Sequence, residues 1–226
     1  CGYAGPSLLQ LLEQLPITPA PADALLAVPV QWVEKFSSSA DTSQGRRMFW
    51  GRLAAGHIAP GDTVRVHPGG QTALVAQVLD HARRPASIAA GHSAGIVLDR
   101  ELDVSRGDWL LADVADTAAT GQREVRATIA WLDDEPLVAG RAYWALHGHR
   151  WVKARVSRIV HQLDIHTLQT TDAQQIPPNG IGHVELQFQE PLPLLPYAQS
   201  RALGALVLVD TATHKTAGAV LVSENS

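Results

Sequence analysis

The chain has 226 residues, of which 46% are hydrophobic and 18% are charged, and its formal net charge is −4. Wholesale disorder is excluded, because disordered chains are poor in apolar residues and rich in charge. No apolar run is long enough for us to expect a membrane span. The acidic balance argues against a dedicated nucleic-acid-binding protein, which neutralises phosphates with basic residues. A single cysteine, Cys1, excludes a disulfide framework and a cysteine-based zinc site.

Chain length and the first residues predict the setting of the protein. At 226 residues we expect one large or two small domains. The first residue is Cys1, and no charged segment followed by an apolar run marks a signal peptide. We therefore expect a part of a longer protein, located in the cytoplasm.

Only the N-terminal segment has a helical pattern. Pro6 suits a first helical turn, where its missing N–H costs nothing. Leucines then recur at helical spacing and form one apolar stripe: Leu8, Leu11, Leu12 and Leu15. A helix of this length is marginal alone, so we expect its stripe to pack against another surface.

From about residue 30 onward the pattern is that of short strands separated by Gly and Pro turns. Val64 and Val66 alternate with polar residues, and the Pro68-Gly69-Gly70 turn leads into a returning strand over Thr72–Leu79. Further strands are predicted at Ser93–Leu98, Trp109–Ala112, Val125–Trp131, Ala142–His147, Trp151–Ile159, Gly182–Phe188, Ala205–Asp210 and Ala219–Val222. Such a pattern is typical of sandwiches and barrels.

Two segments read as linkers and divide the chain. Residues 16–29 are rich in Pro and Ala, and residues 115–122 lack apolar periodicity. The predicted fold is therefore all-β, with two consecutive β-barrels and one short N-terminal helix. We assign residues 1–26 to the helix and its linker, 27–117 to the first barrel and 122–226 to the second.

No catalytic centre, cofactor site or metal site is recognisable. The sequence contains no phosphate-binding loop, no Gly-x-Ser-x-Gly elbow and no His-Glu-x-x-His motif. Asp133, Asp134 and Glu135 precede a proline and are interpreted as a solvated turn rather than catalytic acids. His147 and His149 could converge on a metal from one strand face. Gly148 between them favours an exposed hairpin tip instead.

The strand that follows this hairpin carries the most distinctive outer face. Alternation places Trp151, Lys153 and Arg155 together, opposite an apolar face. The commonest reading is a solvated barrel face with the tryptophan half covered by a loop. An aromatic residue beside cations can also anchor a protein interface or stack on a nucleic-acid base. For Trp32 and Trp50 a core position is favoured over a contact surface.

Several segments together resemble one family. The end of that family's GTPase domain is similar to Tyr3-Ala4-Gly5-Pro6-Ser7-Leu8-Leu9. The second-domain barrel shared by translational GTPases is similar to Gly51–Gly56, Pro60-Gly61-Asp62 and Val64–Gly70. More specific similarities are Asp103–Asp108, Glu135-Pro136-Leu137, Gly140-Arg141-x-Tyr143, Ala154-Arg155-Val156, Asp164–Leu168, Asn179–Gly182, Glu190-Pro191-Leu192, Tyr197 and Arg201. The chain resembles the part after the GTP-binding domain in the large subunit of bacterial sulfate adenylyltransferase, within the elongation-factor-Tu-like GTPases.

The resemblance implies a coupling role. In that family a separate small subunit makes adenylylsulfate and pyrophosphate from ATP and sulfate, and the large subunit couples GTP hydrolysis to this reaction. GTP and Mg are expected in the preceding GTPase domain, to which the helix would belong, and no cofactor is expected in this chain. The implied partners are the small catalytic subunit and the GTPase domain, with no nucleic acid and no membrane. Candidate interface residues are Trp151, Lys153, Arg155, Asp164 and Arg201.

Two departures from the family pattern stand out. The family's Arg-x-Thr-Gly reads Arg201-Ala202-Leu203-Gly204 here and loses a hydroxyl. Within Gln44–Trp50, Met48 and Trp50 replace small residues, and we expect them to fill space that glycine would leave open.

Two other functions remain open. The barrels could belong to a translation factor that holds tRNA or the ribosome, which the net acidity and the Asp164–Leu168 motif disfavour. The chain could instead be a stand-alone enzyme that uses a metal near His147 and His149. In either barrel reading the chain by itself is not an enzyme, whereas the parent protein of the favoured reading is one.

Overall fold

A computed structural model describes residues 4–15, 24–35, 47–114 and 121–224. The all-β prediction with one short helix is confirmed within these ranges. Part of the Pro/Ala-rich linker (16–23), most of the second linker (115–120) and residues 44–46 lie outside the described residues. No helix in the described ranges is long and apolar enough to cross a membrane.

Helix α1 spans Leu8–Gln14 and begins with a complete capping box. Ser7 Oγ accepts a hydrogen bond from the Gln10 amide at 3.3 Å, and the Gln10 side chain accepts one from the Ser7 amide at 2.8 Å. These bonds satisfy backbone donors that the first helical turn leaves free. The predicted leucine stripe is present, and none of the helix residues is buried against the described part of the chain.

Nine strands form the first barrel and its small accessory pair. They are β1 (Ala27–Pro29), β2 (Trp32–Lys35), β3 (Arg47–Arg52), β4 (His57–Ile58), β5 (Thr63–His67), β6 (Thr72–Leu79), β7 (Ile88–Ala89), β8 (Ser93–Leu98) and β9 (Trp109–Ala112). The main sheet has the order β1-β9-β5-β6-β8-β3-β2, and β4 pairs with β7. Strand β1 pairs with β9 and β2 pairs with β3, and only two residues separate β1 from β2. This bent segment therefore connects the two edges of the sheet and closes it around an apolar core.

Nine further strands build the second barrel. They are β10 (Gln122–Trp131), β11 (Leu137–Val138), β12 (Ala142–His147), β13 (Arg150–Leu163), β14 (Thr170–Thr171), β15 (Gln175–Ile176), β16 (Ile181–Leu192), β17 (Ala205–Asp210) and β18 (Thr216–Val222). The sheet runs β12-β17-β18-β10-β16-β13, and pairing of β12 with β13 closes it into six strands. Inward residues of every strand except β14 fill one continuous core, because alternate side chains point to opposite faces.

The Gly140-Arg141-x-Tyr143 motif has a structural role in this barrel. Arg141 Nη2 donates to Asp210 Oδ2 at 2.6 Å, and its guanidinium lies 5.5 Å from the centroid of the Tyr143 ring. Arg141 Nη1 also bonds Glu135 at 3.0 Å. The acidic segment around Glu135 forms a turn, as predicted, and supplies a carboxylate to this cluster.

Asp210 is expected to make the protein more stable at neutral pH than in acid. Its carboxylate accepts hydrogen bonds from the Thr213 backbone amide, the Arg141 side chain and the Ala212 amide, which hold the pKa of Asp210 well below its usual range. A lowered pKa in the folded state stabilises above the unfolded-state pKa of about 4, and this stabilisation is lost as the pH falls through the folded value.

We expect Asp210→Asn to lower the melting temperature at pH 7, with a difference from wild type that shrinks from about pH 4 downward. Thermal unfolding followed by circular dichroism over this range would measure it. An equal difference at pH 7 and in acid would contradict the role of the carboxylate charge.

Candidate functional site

The outward face of β13 brings three predicted interface residues together. Trp151, Lys153 and Arg155 are exposed, while Val152, Ala154 and Val156 between them are buried. Trp151 is 51% exposed, so about half of its side chain is covered, as the commonest reading expects of a solvated face.

Apolar and aromatic neighbours extend this face onto β12. Leu146 stands opposite Trp151 in the strand register, and Trp144 stands opposite Lys153. The Lys153 ammonium lies 5.4 Å from the centroid of the Trp144 ring, within the range of a cation–π contact. The face therefore combines an exposed aromatic residue, half-buried apolar neighbours and fixed positive charge.

Arg155 is held by a chain of side-chain hydrogen bonds across three strands. Its Nε and Nη2 donate to Gln187 Oε1 at 2.8 and 2.6 Å. Gln187 Nε2 in turn donates to Glu124 Oε1 at 2.8 Å. A groove of about 300 Å³ runs beside Lys153 and Arg155. These bonds restrict the guanidinium before any partner arrives, which reduces the entropy lost on binding.

The other two candidates lie apart from this face. Asp164 follows the far end of β13, and its Oδ1 accepts bonds from the His166 and Thr167 amides at 2.7 and 3.1 Å. The carboxylate thus stabilises a local turn, which accounts for its motif without an interface. Arg201 is exposed in the connection between β16 and β17.

Trp32 is not a core residue, so the prediction of a core position was wrong for it. Trp32 is 62% exposed on the edge strand β2. Trp50 is half-buried on the outer face, where its Nε1 donates to Glu34 at 2.9 Å. Together with Met48 it covers Gly95, at which a Cβ would lie 2.7 Å from the Met48 sulfur. The two large side chains therefore fill the space left by a glycine on the neighbouring strand.

A second constellation lies where the two barrels meet. Arg150 Nη1 binds Asp108 of the first barrel at 2.9 Å, and its Nη2 binds Glu190 at 2.5 Å. Burial raises the pKa of Asp108, although the Ser105 amide and Arg150 act in the opposite direction. The carboxylate of Asp108 and the guanidinium of Arg150 are both largely withdrawn from water. Removing either group would therefore leave a buried charge without its ion-pair partner, which destabilises the fold.

Stacked rings form the apolar part of this junction. Trp109 of β9 and His147 of β12 lie with centroids 5.0 Å apart and planes 26° from parallel. Leu203 packs in the same cluster as Trp109, where the family pattern has a threonine. The predicted hairpin tip is present, but its expected exposure is wrong for His147, which is fully buried because the tip docks on the first barrel. Burial lowers the pKa of His147 to about 4, so the ring is neutral at pH 7.

Close backbone approach completes the junction. Gly107 has φ +97°, and a Cβ there would lie 2.9 Å from the His149 carbonyl oxygen. At Gly148, φ is +59° and a Cβ would meet the Trp109 ring at 2.7 Å. His67 Nε2 donates to the Pro191 carbonyl at 3.1 Å. The sequence identifies these residues as parts of separate family motifs but does not predict that they meet at one junction: Gly107, Asp108, Glu190 and Pro191.

The side chains at both groups are of kinds suited to recognition and packing. Among the described residues no three His, Cys, Asp or Glu side chains are grouped to hold a metal ion. His147 and His149 diverge, since the first ring is buried at the junction and the second is only half-buried at the turn. The arrangement offers a binding face and a rigid joint.

Comparison with known proteins agrees with this architecture. Residues 124–223 match the family described as GTP-eEF1A C-terminal domain-like. The chain is 36% identical over 217 residues to the bifunctional enzyme CysN/CysC of Xylella fastidiosa, covering 96% of this chain and 34% of that protein. It is 33% identical over 222 residues to sulfate adenylyltransferase subunit 1 of Salmonella typhi, covering 98% of this chain and 45% of that protein.

Solved structures show the same fold. The crystal structure of sup35 complexed with GDP superposes with a TM-score of 0.77 at 21% identity, covering 100% of this chain and 53% of that one. The chain spans less than half the length of the curated relatives it matches. Residues 124–223 thus match the GTP-eEF1A C-terminal domain-like family, and nearly the whole chain is similar to part of sulfate adenylyltransferase subunit 1.

Proposed function

We propose that this chain supplies the two barrel domains of a GTPase subunit of sulfate adenylyltransferase in sulfate assimilation in the cytoplasm. GTP hydrolysis in another domain would be coupled through the barrels to the formation of adenylylsulfate and pyrophosphate from ATP and sulfate on a partner subunit. Relatives named sulfate adenylyltransferase subunit 1, similar over nearly the whole chain, support this assignment. The sequence has no phosphate-binding loop, so GTP and Mg are assigned to the GTPase domain.

The interbarrel junction is the observation that carries the coupling role. A nucleotide state can act on a remote partner only through elements that move together or in two defined arrangements. Three kinds of contact join the barrels. They are the ion pairs of Arg150 with two carboxylates, the stacking of Trp109 on His147, and the close backbone packing at Gly107 and Gly148. Displacement of one barrel would therefore be transmitted to the other.

Helix α1 is assigned to the contact with the GTPase domain. Its leucines are exposed to solvent over the described residues, with Leu8 at 72%. A short amphipathic helix gains its stability from packing rather than from propensity. A GTPase domain of the same protein is the proposed cover of this stripe.

The outward face of β13 is assigned to the small catalytic subunit. Interface anchors are enriched in Trp, Tyr and Arg near apolar surroundings, as at Trp151 beside Leu146. Lys153 and Arg155 add positive charge, and Asp164 and Arg201 stay secondary candidates on other parts of the barrel.

Binding of the chain to the small catalytic subunit tests this assignment. We expect Trp151→Ser to weaken the complex about tenfold or more, since truncating an aromatic anchor commonly costs about 2 kcal/mol. Isothermal calorimetry and sedimentation velocity would measure the affinity. Trp32→Ser is the matched control, because it removes an exposed tryptophan from the first barrel and should leave affinity unchanged.

The possible results separate the alternatives. Equal affinity of the Trp151→Ser variant and wild type would reject this face, and selective loss in Trp32→Ser would move the interface to the first barrel. No complex with wild type would reject barrel-mediated docking. Binding to tRNA that weakens steeply with salt would favour the translation-factor reading instead.

A further inference from the structure

The far half of β13 turns a different set of side chains outward. Register shifts interrupt its pairing with β16 between Val156 and Arg158 and again between Ile159 and His161. Strict alternation from Arg155 would place Ile159 on the outer face, yet Ile159 packs against the core. Bulges of this kind re-aim side chains and are common next to functional sites. Here the first bulge places Arg158 on the outer face, and the second returns His161 to the outer face that strict alternation would also give it.

Two cross-strand rows result. Arg126 of β10 and Arg158 flank Glu185 of β16, with Arg126 Nε 3.5 Å and Arg158 Nη1 4.0 Å from Glu185 Oε1. In the next row His183 of β16 stands opposite His161, with ring centroids 4.4 Å apart. The four nitrogen-bearing side chains line one cavity of about 320 Å³.

The hydrogen-bond donors in this cavity are largely unused. Within the described ranges the only polar contact of either guanidinium is the long ion pair with Glu185. By contrast, the guanidinium of Arg155 one row away donates to Gln187. His183 Nδ1 is buried without a hydrogen-bond partner among the described residues. Unsatisfied polar atoms at the wall of a cavity indicate a group that is missing from it.

We propose that this cavity binds a small dianionic tetrahedral oxyanion of the sulfate and phosphate class, and that protonation of its histidines strengthens binding. Arginine forks suit such oxyanions, because paired N–H groups match two of their oxygens. The volume admits a single ion of this size with water. The site does not depend on the proposed coupling role.

The charge balance makes the site responsive to pH. The charged and titratable groups that line it are Arg126, Arg158, Glu185, His161, His183 and Glu224. With neutral imidazoles the two arginines and two glutamates cancel, and each protonated imidazole adds one positive charge. Burial, and then the neighbouring His161, lowers the pKa of His183. A bound dianion opposes this effect, so proton and anion binding favour each other.

Histidine ring NMR of the full chain, titrated with sodium sulfate at constant ionic strength in chloride, tests the proposal. Sulfate is a suitable probe because its charge stays constant across the range. We expect sulfate to bind about tenfold more tightly at about pH 5 than at about pH 8, since a one-unit rise in the pKa of His183 on binding corresponds to that factor once the pH lies below the lowered pKa of the free site. The His183 resonances should titrate at higher pH when sulfate is present.

Substitutions distinguish specific binding of sulfate in this cavity from a nonspecific effect of salt on the charges of the protein. Arg126→Gln and Arg158→Gln should each weaken sulfate binding about tenfold, and His183→Asn should flatten its pH dependence. Arg84→Gln, an exposed arginine of the first barrel, makes the same charge change and should alter neither. Phosphate as a second titrant supports the proposal whether it binds equally or more weakly. Equal affinities in Arg158→Gln and Arg84→Gln, or histidine titrations unmoved by sulfate, would overturn it.

Discussion

Trp109→Ala is expected to lower the free energy of unfolding by about 3–5 kcal/mol, as is usual for a large buried aromatic residue. Trp109 is 1% exposed and lies between both barrels, in contact with His147 and the cluster that contains Leu203. Its loss removes apolar contact and leaves a cavity that the stacked imidazole cannot fill. Urea titrations followed by circular dichroism would give the free energy and the dependence on denaturant.

The same substitution at Trp32 is the matched control. Trp32 is largely exposed on an edge strand, so alanine there should cost less than about 1 kcal/mol. We also expect the Trp109 variant to show a lower slope with urea, because barrels that no longer unfold together each expose less surface per transition. Equal losses in both variants would mean that the junction contributes nothing beyond ordinary burial.

Arg150→Met is expected to cost about 2–4 kcal/mol, somewhat less than breaking a fully buried ion pair. Methionine keeps the length of the aliphatic stem but leaves Asp108 and Glu190 without their shared cation. Asp108 is the costlier loss, because its carboxylate is buried at the junction. Unfolding free energies from urea titrations at pH 7 would measure the effect.

Arg155→Met controls for removal of an arginine from the same strand. Its guanidinium is exposed and bonds only Gln187 among the described residues, so the expected cost is below about 1 kcal/mol. Adding Asp108→Asn to Arg150→Met should recover part of the loss, because it removes the stranded charge. Strict additivity of the two substitutions would contradict an energetic coupling between Asp108 and Arg150.

These junction contacts also explain why particular residues occur in several of the family motifs. Gly107 and Asp108 end one motif, and Glu190 and Pro191 begin another. All four lie at the contact between the barrels. A Cβ added at the glycine, the loss of the carboxylate charge or a displaced carbonyl group would weaken that contact. The motifs thus report on how the barrels are joined rather than on catalysis.

The amino-acid sequence by itself determined the fold class, the outer face of β13 and the resemblance to the sulfate adenylyltransferase large subunit. Period-two alternation and turn residues are local signals, so Trp151, Lys153 and Arg155 could be placed on one face without coordinates. The capping of α1 is equally local, since Ser7 and Gln10 are three residues apart.

Only the tertiary structure decided which outer surfaces are covered. Alternation separates two faces of a strand but does not say whether a second domain packs on the outer one, so Trp32 was placed inside and His147 outside. Asp108 and Arg150 are 42 residues apart, and His67 and Pro191 are 124 apart. Such pairs form when two closed barrels dock, and the bulge that brings Arg158 outward likewise depends on the register with β16. Long-range packing, which no short segment encodes, set both the junction and the candidate anion site.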